Sequence, residues 1–342
     1  MTVQADLLST RPPALTADEV AALAQRHWGL SGRLAPLTSE RDLNFHLDTG
    51  AGGYVLKIAN PAEPHEMTRF QSRALAHVAR RDPGLPVPRA IPARDGAGDV
   101  VLPGGHLMRV LTWLDGVPIY RAPVSEAQTV ALAQMAARLA LALRGFEDPA
   151  ADHVLQWDIK QAAMLWPKLS AVQDAGLRAL CEGVLRRFDD TVAPVLPTLR
   201  WQVVHADLNP HNVLTAPDDP DRIAGILDFG DMVRTPLVCD LAVAAAYRVA
   251  VGDAIEVLAR FAGAWHGVYP LTGAERAVLF DLVAVRMVTT LVVTSWRAER
   301  YPENAAYILR NFPSARAGLE RFAALDPARA EAALLAACPM EG

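Results

Sequence analysis

The residues best suited to catalysis lie in one stretch, from Val203 to Asp231, in which short apolar runs alternate with polar loops. Its polar side chains include His205, Asp207, Asn209, His211, Asn212, Asp228 and Asp231. Magnesium-dependent phosphoryl transfer needs one carboxylate that orients the attacking hydroxyl, and an asparagine and a second carboxylate that hold the metal. The spacing H-x-D-x-x-x-x-N, followed after a turn by D-F-G, therefore predicts a phosphoryl-transfer site.

Three residues of this stretch receive definite roles. Asp207, the predicted catalytic base, and Asn212, a predicted magnesium ligand, lie on one tight loop. Asp228, the second predicted ligand, comes alongside them if Val213–Leu214 pairs with Ile226–Leu227 as a hairpin. Oxygen ligands of this kind suit Mg²⁺, which accepts few protein ligands and keeps several waters.

The other polar residues near the loop receive weaker roles. His205 and Asp240 are predicted to be structural, with Asp240 as a helix N-cap or a buried anchor for the loop. Asn209 and His211 are interpreted as turn residues that line the loop. Asp231 directly follows the metal-binding turn, and we expect its carboxylate to face a substrate ammonium group.

Lys57 is the candidate for binding nucleotide phosphates. It lies in Tyr54–Ala59, a strand pattern that puts Val55 and Lys57 on the same face. Taken alone, a lysine on a strand is most often a solvated surface residue. A strand lysine, a connector, the H-x-D loop and then D-F-G form an order that chance rarely produces, and this order favours the phosphate-binding role.

The order of the secondary-structure patterns predicts an α+β fold with two lobes. Strand patterns and two successive hairpins dominate the first part of the chain, and helix patterns dominate the second. We expect a β-rich nucleotide-binding lobe over residues 1–111, a connector (hinge) over 112–116, and a helical catalytic and substrate lobe over 117–342. Thr112–Leu114 is the expected place where backbone groups meet the nucleotide base, with Leu114 as the cofactor-binding residue.

Composition and charge argue against several classes of function. A net charge of −5 leaves no basic field for nucleic acid or for an anionic membrane surface. The apolar run Ala277–Trp296 contains Asp281 and Arg286, so it is predicted to be a buried core helix and not a membrane span. The chain start shows no secretory signal pattern, and its three widely spaced cysteines favour free thiols. A soluble cytoplasmic protein is expected, and its oligomeric state is left open.

These motifs resemble those of the aminoglycoside phosphotransferase-like family, which includes choline kinases and is related to protein kinases. Within it, Ser39–Phe45, Tyr54–Pro61 and Gly225–Asp231 are similar to hydroxylysine kinase and to the kinase domains fused to class III aminotransferases. The resemblance covers most of the chain and implies a bilobal protein-kinase-like fold. It also implies Mg²⁺ as cofactor and ATP or GTP as co-substrate.

The resemblance implies the same roles for Asp207, Asn212 and Asp228, and it places Lys57 on the α- and β-phosphates. The sequence departs from the family pattern in three ways. Many relatives have glycine after the motif histidine, where this chain has Ala206, and we expect the methyl group to be tolerated. No glycine-rich nucleotide loop is present, so the segment that begins at Ser39 must take its place with hydroxyl and backbone donors.

The third departure concerns the acidic partner of the nucleotide-binding lysine. Glu66 is the first choice because it opens the helix that follows the lysine strand, and Glu63 is the alternative. We therefore expect Glu66 to complete the cofactor-binding set.

Two arginines on the apolar helix are candidates for binding the substrate. Arg286 and Arg297 are about three turns apart and therefore fall on the same side. An arginine in an apolar helix needs a partner. For Arg286 the partner is either a substrate carboxylate or, with equal weight, Asp281 or a loop acid in an internal ion pair.

The pattern as a whole predicts a kinase that transfers the γ-phosphoryl group of ATP or GTP to a hydroxyl of a hydroxy amino acid or amino alcohol. The first candidate for the acceptor is 5-hydroxylysine. Homoserine, choline, ethanolamine or an aminoglycoside are alternative acceptors. A nucleotide-binding pseudokinase scaffold and a metal hydrolase that uses His205, Asp207, His211 and Asp228 are alternatives of a different kind.

Overall fold

The computed structural model describes Thr10 and residues 13–39 and 42–339. These residues form two compact units. The first contains the chain up to Gly116 together with Asp148–Ala151 and Ala224–Gly230, and the second contains the remainder. The division predicted from the sequence differs here, because it assigns these two short segments to the second lobe. The α+β class with two units confirms the predicted fold class.

The first unit is built on one antiparallel sheet. Its strands are β1 (Arg33–Leu37), β2 (Leu43–Asp48), β3 (Gly53–Ile58), β4 (Ala90–Ile91), β5 (Val100–Val101) and β6 (Leu107–Thr112). They hydrogen-bond in the order β1, β2, β3, β6 and β4, and β5 pairs with the start of β6. Among the described residues, two α-helices, α1 (Ala17–Trp28) and α2 (His65–Arg81), also belong to this unit.

The two faces of this sheet differ because side chains alternate along each strand. One face is apolar and packs against the buried residues of α1. It carries Phe45, Leu47, Leu56, Ile58, Met108 and Val110. Asn44, Lys57 and Arg109 are direct cross-strand neighbours in β2, β3 and β6, so they share the opposite face. The sheet thus presents a polar row that includes the predicted phosphate-binding lysine.

The second unit is mostly helical. Its α-helices are α3 (Glu126–Leu143), α4 (Ala175–Arg187), α5 (Leu237–Ala246), α6 (Ala254–His266), α7 (Gly273–Arg300), α8 (Ala305–Ile308), α9 (Phe312–Ala323) and α10 (Pro327–Ala337). Its strands are β7 (Val117–Pro118), β8 (Trp201–Val204), β9 (Val213–Thr215), β10, which begins here (Ile223–Ile226), and β11 (Val233–Pro236). One sheet has the order β10, β9 and β7, and β8 pairs with β11 in another. The predicted catalytic loop joins β8 to β9.

Helix α7 is the longest described helix, and every residue from Asp281 to Thr294 is buried. It begins with a capping box in which Thr272 and Glu275 bond to each other's backbone N–H. Of the described helices, it alone is long and apolar enough to cross a membrane, and 89% of its most apolar window is buried inside the protein. The prediction of a core helix over Ala277–Trp296 is confirmed. The three cysteines are buried and free, as predicted.

Candidate active site

The loop between β8 and β9 arranges hydrogen-bond donors around the carboxylate of Asp207. Asn209 Nδ2 and Asn212 Nδ2 donate to its Oδ2 over 2.8 and 2.9 Å. Asn212 Nδ2 also reaches the backbone oxygen of Asp207 at 3.0 Å, and the N–H of His211 donates to Asn209 Oδ1. Asn209 therefore holds the predicted base in place, a role that its interpretation as a turn residue did not include.

The second oxygen of Asp207 is bound by an arginine from helix α7. Arg286 Nη2 lies 2.9 Å from Asp207 Oδ1 and donates to the hydroxyl of Tyr247 over 2.8 Å. Its Nη1 donates to the backbone oxygen of Trp157 over 3.3 Å. The guanidinium carbon lies 5.6 Å from the ring centroid of Trp157 and 5.5 Å from that of Tyr247, within cation–π range of both.

The charge of Arg286 is maintained although the residue is only 2% exposed. Burial by itself lowers the pKa of Arg286, but Tyr247 and the carboxylates of Asp207 and Asp231 more than offset this effect, so that the pKa is raised above its ordinary value. The result is a charged pair held inside the protein.

These contacts decide between the two partners that the sequence left open for Arg286. It pairs with a loop acid, Asp207, whereas Asp281 pairs with Arg187. The prediction that Arg286 binds a substrate carboxylate is not supported, because both of its terminal nitrogens already contact protein groups.

The backbone that carries Asp207 is fixed by a buried aspartate on helix α5. Ala206 has φ 62°, in the left-handed region, and its N–H donates to Asp240 Oδ1 over 2.8 Å. Asp240 is fully buried, and burial raises its pKa to about 6, although His205 and backbone N–H groups act in the opposite direction. Of the two structural roles predicted for Asp240, the structure shows the anchor.

The acidic partner of Lys57 differs from the one predicted. Lys57 Nζ lies 3.6 Å from Asp42 Oδ2, at the end of the loop that leads into β2. Asp42 Oδ1 also accepts a hydrogen bond from the N–H of Asn60. The prediction for Glu66 is wrong: its carboxylate contacts Arg69 and Arg73 and is largely exposed, because the first turn of α2 points it toward these arginines.

Arg109 docks helix α2 on the polar face of the sheet, next to Lys57. Its Nη1 donates to the backbone oxygen of Thr68 and to Ser72 Oγ, and its Nη2 donates to the side-chain oxygen of Gln71. These acceptors are neutral, so burial lowers the pKa of Arg109, while the carboxylates of Glu63, Asp42, Asp228 and Asp99 oppose the shift. Within the first unit, Asp42 and Asp228 thus lie within electrostatic range of Arg109.

Two further predicted nucleotide-binding residues belong to the first unit. Ser39 Oγ accepts from the N–H of Asp42 over 3.2 Å and so shapes the end of the loop, whereas Glu40 and Arg41 lie outside the described residues. At the connector, the N–H groups of Thr112 and Trp113 are bonded to Arg89 and Gly53. No hydrogen bond of the described residues uses the N–H of Leu114, and the contact of residues 112–114 with the nucleotide base stays a prediction.

Each of the two predicted magnesium ligands offers an oxygen of a kind that suits the ion. In the second unit, the amino group of Asn212 is bound to Asp207, and no hydrogen bond of the described residues uses its amide oxygen. In the first unit, Asp228 carries a carboxylate whose Oδ1 accepts from the N–H of Gly230. Amide and carboxylate oxygens are the ligands that Mg²⁺ prefers.

The metal-hydrolase alternative finds no support in the described residues. No group of three or more His, Cys, Asp or Glu side chains is placed there to hold a metal ion. His211 instead packs against Tyr120, with ring centroids 4.5 Å apart, and burial lowers its pKa.

The remaining substrate-binding predictions fall on buried residues of the second unit. Asp231 is 8% exposed and its charge acts on Arg286, while Arg297 is 5% exposed on helix α7. Their contact with a substrate stays a prediction.

Sequence reasoning missed three residues of the candidate site. The sequence His106–Trp113 also has a strand pattern, and side-chain alternation along it could have indicated Arg109, which pairs with Lys57 across β3 and β6. Asp42 could have been found from its place in the loop that is predicted to replace the glycine-rich segment. No sequence pattern indicates Tyr247, because it lies 39 residues before Arg286, the residue that it contacts.

Comparison with known proteins agrees with this geometry. The model of the "Phosphotransferase enzyme family" matches residues 33–279. Hydroxylysine kinase from Danio rerio is 29% identical over 320 residues, which cover 87% of this chain and 88% of that protein. Hydroxylysine kinase from Mus musculus is 28% identical over 327 residues, with 87% and 86% covered.

Solved kinase structures share the fold. A microcompartment-associated aminopropanol kinase superposes with a TM-score of 0.62 at 18% identity, covering 89% of this chain and 97% of its own. The amicoumacin kinase hAmiN, solved in complex with AMP-PNP and Ca²⁺, gives 0.63 at 14% identity, with 87% and 93% covered. The chain has a kinase-like fold, belongs to the phosphotransferase enzyme family, and is an enzyme that transfers phosphate to a hydroxyl group of a small molecule.

Proposed function

We propose that this enzyme transfers the γ-phosphoryl group of ATP or GTP to the side-chain hydroxyl of a hydroxy amino acid, with 5-hydroxylysine as the first candidate. The observation that carries the mechanism is the Asp207 carboxylate, which Asn209, Asn212 and Arg286 hold on both oxygens. The choice of acceptor rests on similarity to hydroxylysine kinases over 87% of the chain.

In this proposal the second unit handles the acceptor. Asp207 accepts a hydrogen bond from the acceptor hydroxyl and aims its oxygen at the γ-phosphorus. Its three donors stabilise the ionised carboxylate, so its main contribution is orientation, and the hydroxyl proton leaves late in the transfer. Asp231 would pair with an ammonium group of the acceptor, and Arg297 would contact its carboxylate.

The first unit handles the nucleotide. Lys57, held by Asp42, would bind the α- and β-phosphates, and the backbone N–H of Leu114 would meet the base. Asn212 and Asp228 would hold Mg²⁺, which neutralises charge on the phosphates when bound. Ser39 would add a hydroxyl donor close to the phosphates.

A panel of acceptors tests the proposal. Purified enzyme with Mg²⁺ and either ATP or GTP is offered 5-hydroxylysine, homoserine, ethanolamine, choline and an aminoglycoside, and nucleoside diphosphate release is measured. We expect the highest kcat/KM for 5-hydroxylysine. A higher value for another acceptor would replace the substrate but keep the reaction. Silence across the panel, without a nucleotide-induced rise in Tm, would favour the scaffold alternative.

The variant Asp207→Asn tests the role of the base. We expect kcat to fall by about 10²- to 10⁴-fold, because a neutral amide replaces the carboxylate that orients the hydroxyl and receives its proton late in the transfer, while the Tm rise caused by nucleotide stays the same. Turnover at the level of the parent enzyme would contradict the assignment.

A further inference from the structure

Arg286 is built into the second unit as a fixed group. Its Nη2 bridges Asp207 and Tyr247, its Nη1 is bonded to the backbone of Trp157, and two aromatic rings lie within cation–π range. Nε is buried and has no hydrogen-bond partner among the described residues. With three contacts and 2% exposure, the guanidinium has little freedom to turn toward a ligand.

The contacts of Asp207 divide between its two oxygens. Oδ1 receives Arg286, and Oδ2 receives Asn209 and Asn212, which belong to the same loop as Asp207 itself. The bond from helix α7 adds a second, independent point of attachment and therefore fixes the plane of the carboxylate.

We propose that Arg286 is a positioning residue, which acts on phosphoryl transfer only through Asp207 and does not bind the acceptor. This role rests on the proposed function. A carboxylate held in one plane presents the same lone pair to each incoming hydroxyl, and losses of alignment of about 1 Å cost roughly 10²-fold in rate.

The chemistry of arginine suits this role better than that of lysine. A guanidinium is planar and holds several donors in fixed directions, so one group can bond Asp207, Tyr247 and a backbone oxygen while its flat faces meet aromatic rings. A lysine ammonium could retain the charge but not this geometry.

A double-mutant cycle tests the proposal. Arg286→Met is made in the parent enzyme and in Asp207→Asn, and kcat and both KM values are measured with the best acceptor of the panel. We expect kcat of the single variant to fall by about 100-fold, with both KM values within about threefold. In the Asp207→Asn background the same change should cost less than about twofold more.

Two milder variants keep the test independent of folding. Arg286→Lys should recover part of the lost kcat, because it restores charge without the fork. Tyr247→Phe should lower kcat by about three- to tenfold, because it removes one of the bonds that fix the guanidinium. If Arg286→Met alone does not fold, the double variant with Asp207→Asn avoids an unpaired buried charge, because both charges are removed. The kcat values of the two milder variants then test the positioning role.

Arg187→Met is the matched control. It breaks the ion pair between Arg187, at the end of α4, and Asp281, on helix α7, and should lower Tm while kcat stays within about twofold. A rise in the acceptor KM of Arg286→Met with unchanged kcat would overturn the proposal in favour of a substrate ligand, and multiplicative losses in the cycle would also overturn it. Failure of the proposed function gives a different result, since the parent enzyme itself would then turn over no acceptor. In that case the same variants are compared by their rates of nucleotide hydrolysis by water.

Discussion

Two residues of the candidate site adopt a backbone conformation that is unusual for their type. Ala206 and Asp228 have φ values of 62° and 56°, and each is at or next to a residue with a predicted catalytic or metal-binding role. Aspartate tolerates the left-handed region through local hydrogen bonds, as that to the N–H of Gly230 shows, but the methyl group of alanine is only a cost there. Strain of this kind persists where the surroundings over-determine the backbone, and the Asp240 bond does so for Ala206.

The strain at Ala206 predicts that Ala206→Gly stabilises the protein. The left-handed conformation costs alanine roughly 1–2 kcal/mol, whereas glycine adopts it freely but loses more entropy on folding. We expect the free energy of unfolding to rise by about 0.5–1 kcal/mol in urea denaturation, with kcat little changed.

Ala216→Gly is the control for this prediction. Ala216 directly follows β9 and is as buried as Ala206. It is not among the described residues with positive φ. Glycine there should lower the free energy of unfolding. Equal effects of the two substitutions would contradict the role of φ at Ala206.

At the scale of elements, hydrophobic periodicity made several helices predictable. It predicts helices over Glu126–Leu143, Gly273–Arg300 and Pro327–Ala337, and the structure has helices with these bounds, which follow the N-caps Ser125, Thr272 and Asp326. It also predicts a helix over Glu303–Phe312, and this prediction is wrong. The chain makes 3₁₀ turns around the short α8, and the regular helix α9 starts only at Phe312.

The candidate site was predictable only where local spacing sets its geometry. The loop from His205 to Asn212 is local, so the roles of its residues could be inferred from the spacing. The partners of Lys57 and Arg286 come from elsewhere in the chain, and an acid at a helix start resembled a partner as much as Asp42 did. Which charged groups pair is decided by tertiary packing, and a single sequence does not contain that information directly.

The loop before β2, and not helix α2, should therefore govern the affinity for nucleotide. Asp42 ties the ammonium group of Lys57 to the sheet and bonds to the N–H of Asn60. Asp42→Asn removes the charge that orients the lysine, and we expect the KM for nucleotide to rise about three- to tenfold, equivalent to about 1 kcal/mol. Steady-state kinetics at saturating acceptor measures this change.

Glu66→Gln serves as its matched control, since it removes an equal charge from the start of α2. Its partners Arg69 and Arg73 are also bound by Asp99 and Asp148. The KM for nucleotide should stay within about twofold of the parent value. A larger effect of Glu66→Gln than of Asp42→Asn on this KM would support Glu66, and not Asp42, as the acidic partner of Lys57.

At the scale of the whole molecule, the buried carboxyl group of Asp240, which anchors the loop, makes the stability of the protein depend on pH. Asp240 is fully buried, its Oδ2 has no hydrogen-bond partner among the described residues, and burial raises its pKa to about 6. The folded protein therefore binds the proton more tightly than the unfolded chain, in which the carboxyl has its ordinary pKa near 4. Asp240 therefore contributes most to the stability of the fold when its carboxyl group is protonated.

The sign of the pH dependence follows from this shift. The contribution of Asp240 to stability is fully present below about pH 4 and is lost as the pH rises through about 6, because only the unfolded state releases the proton readily in that window. Asp240→Asn keeps an acceptor for the N–H of Ala206 and cannot titrate. Urea denaturation between pH 4 and pH 7.5 should show the variant gaining stability relative to the parent by up to ~3 kcal/mol as the pH rises. Parallel curves would mean that folding leaves the pKa of Asp240 unchanged, so that near neutral pH the loop is anchored by a carboxylate and not by a carboxylic acid.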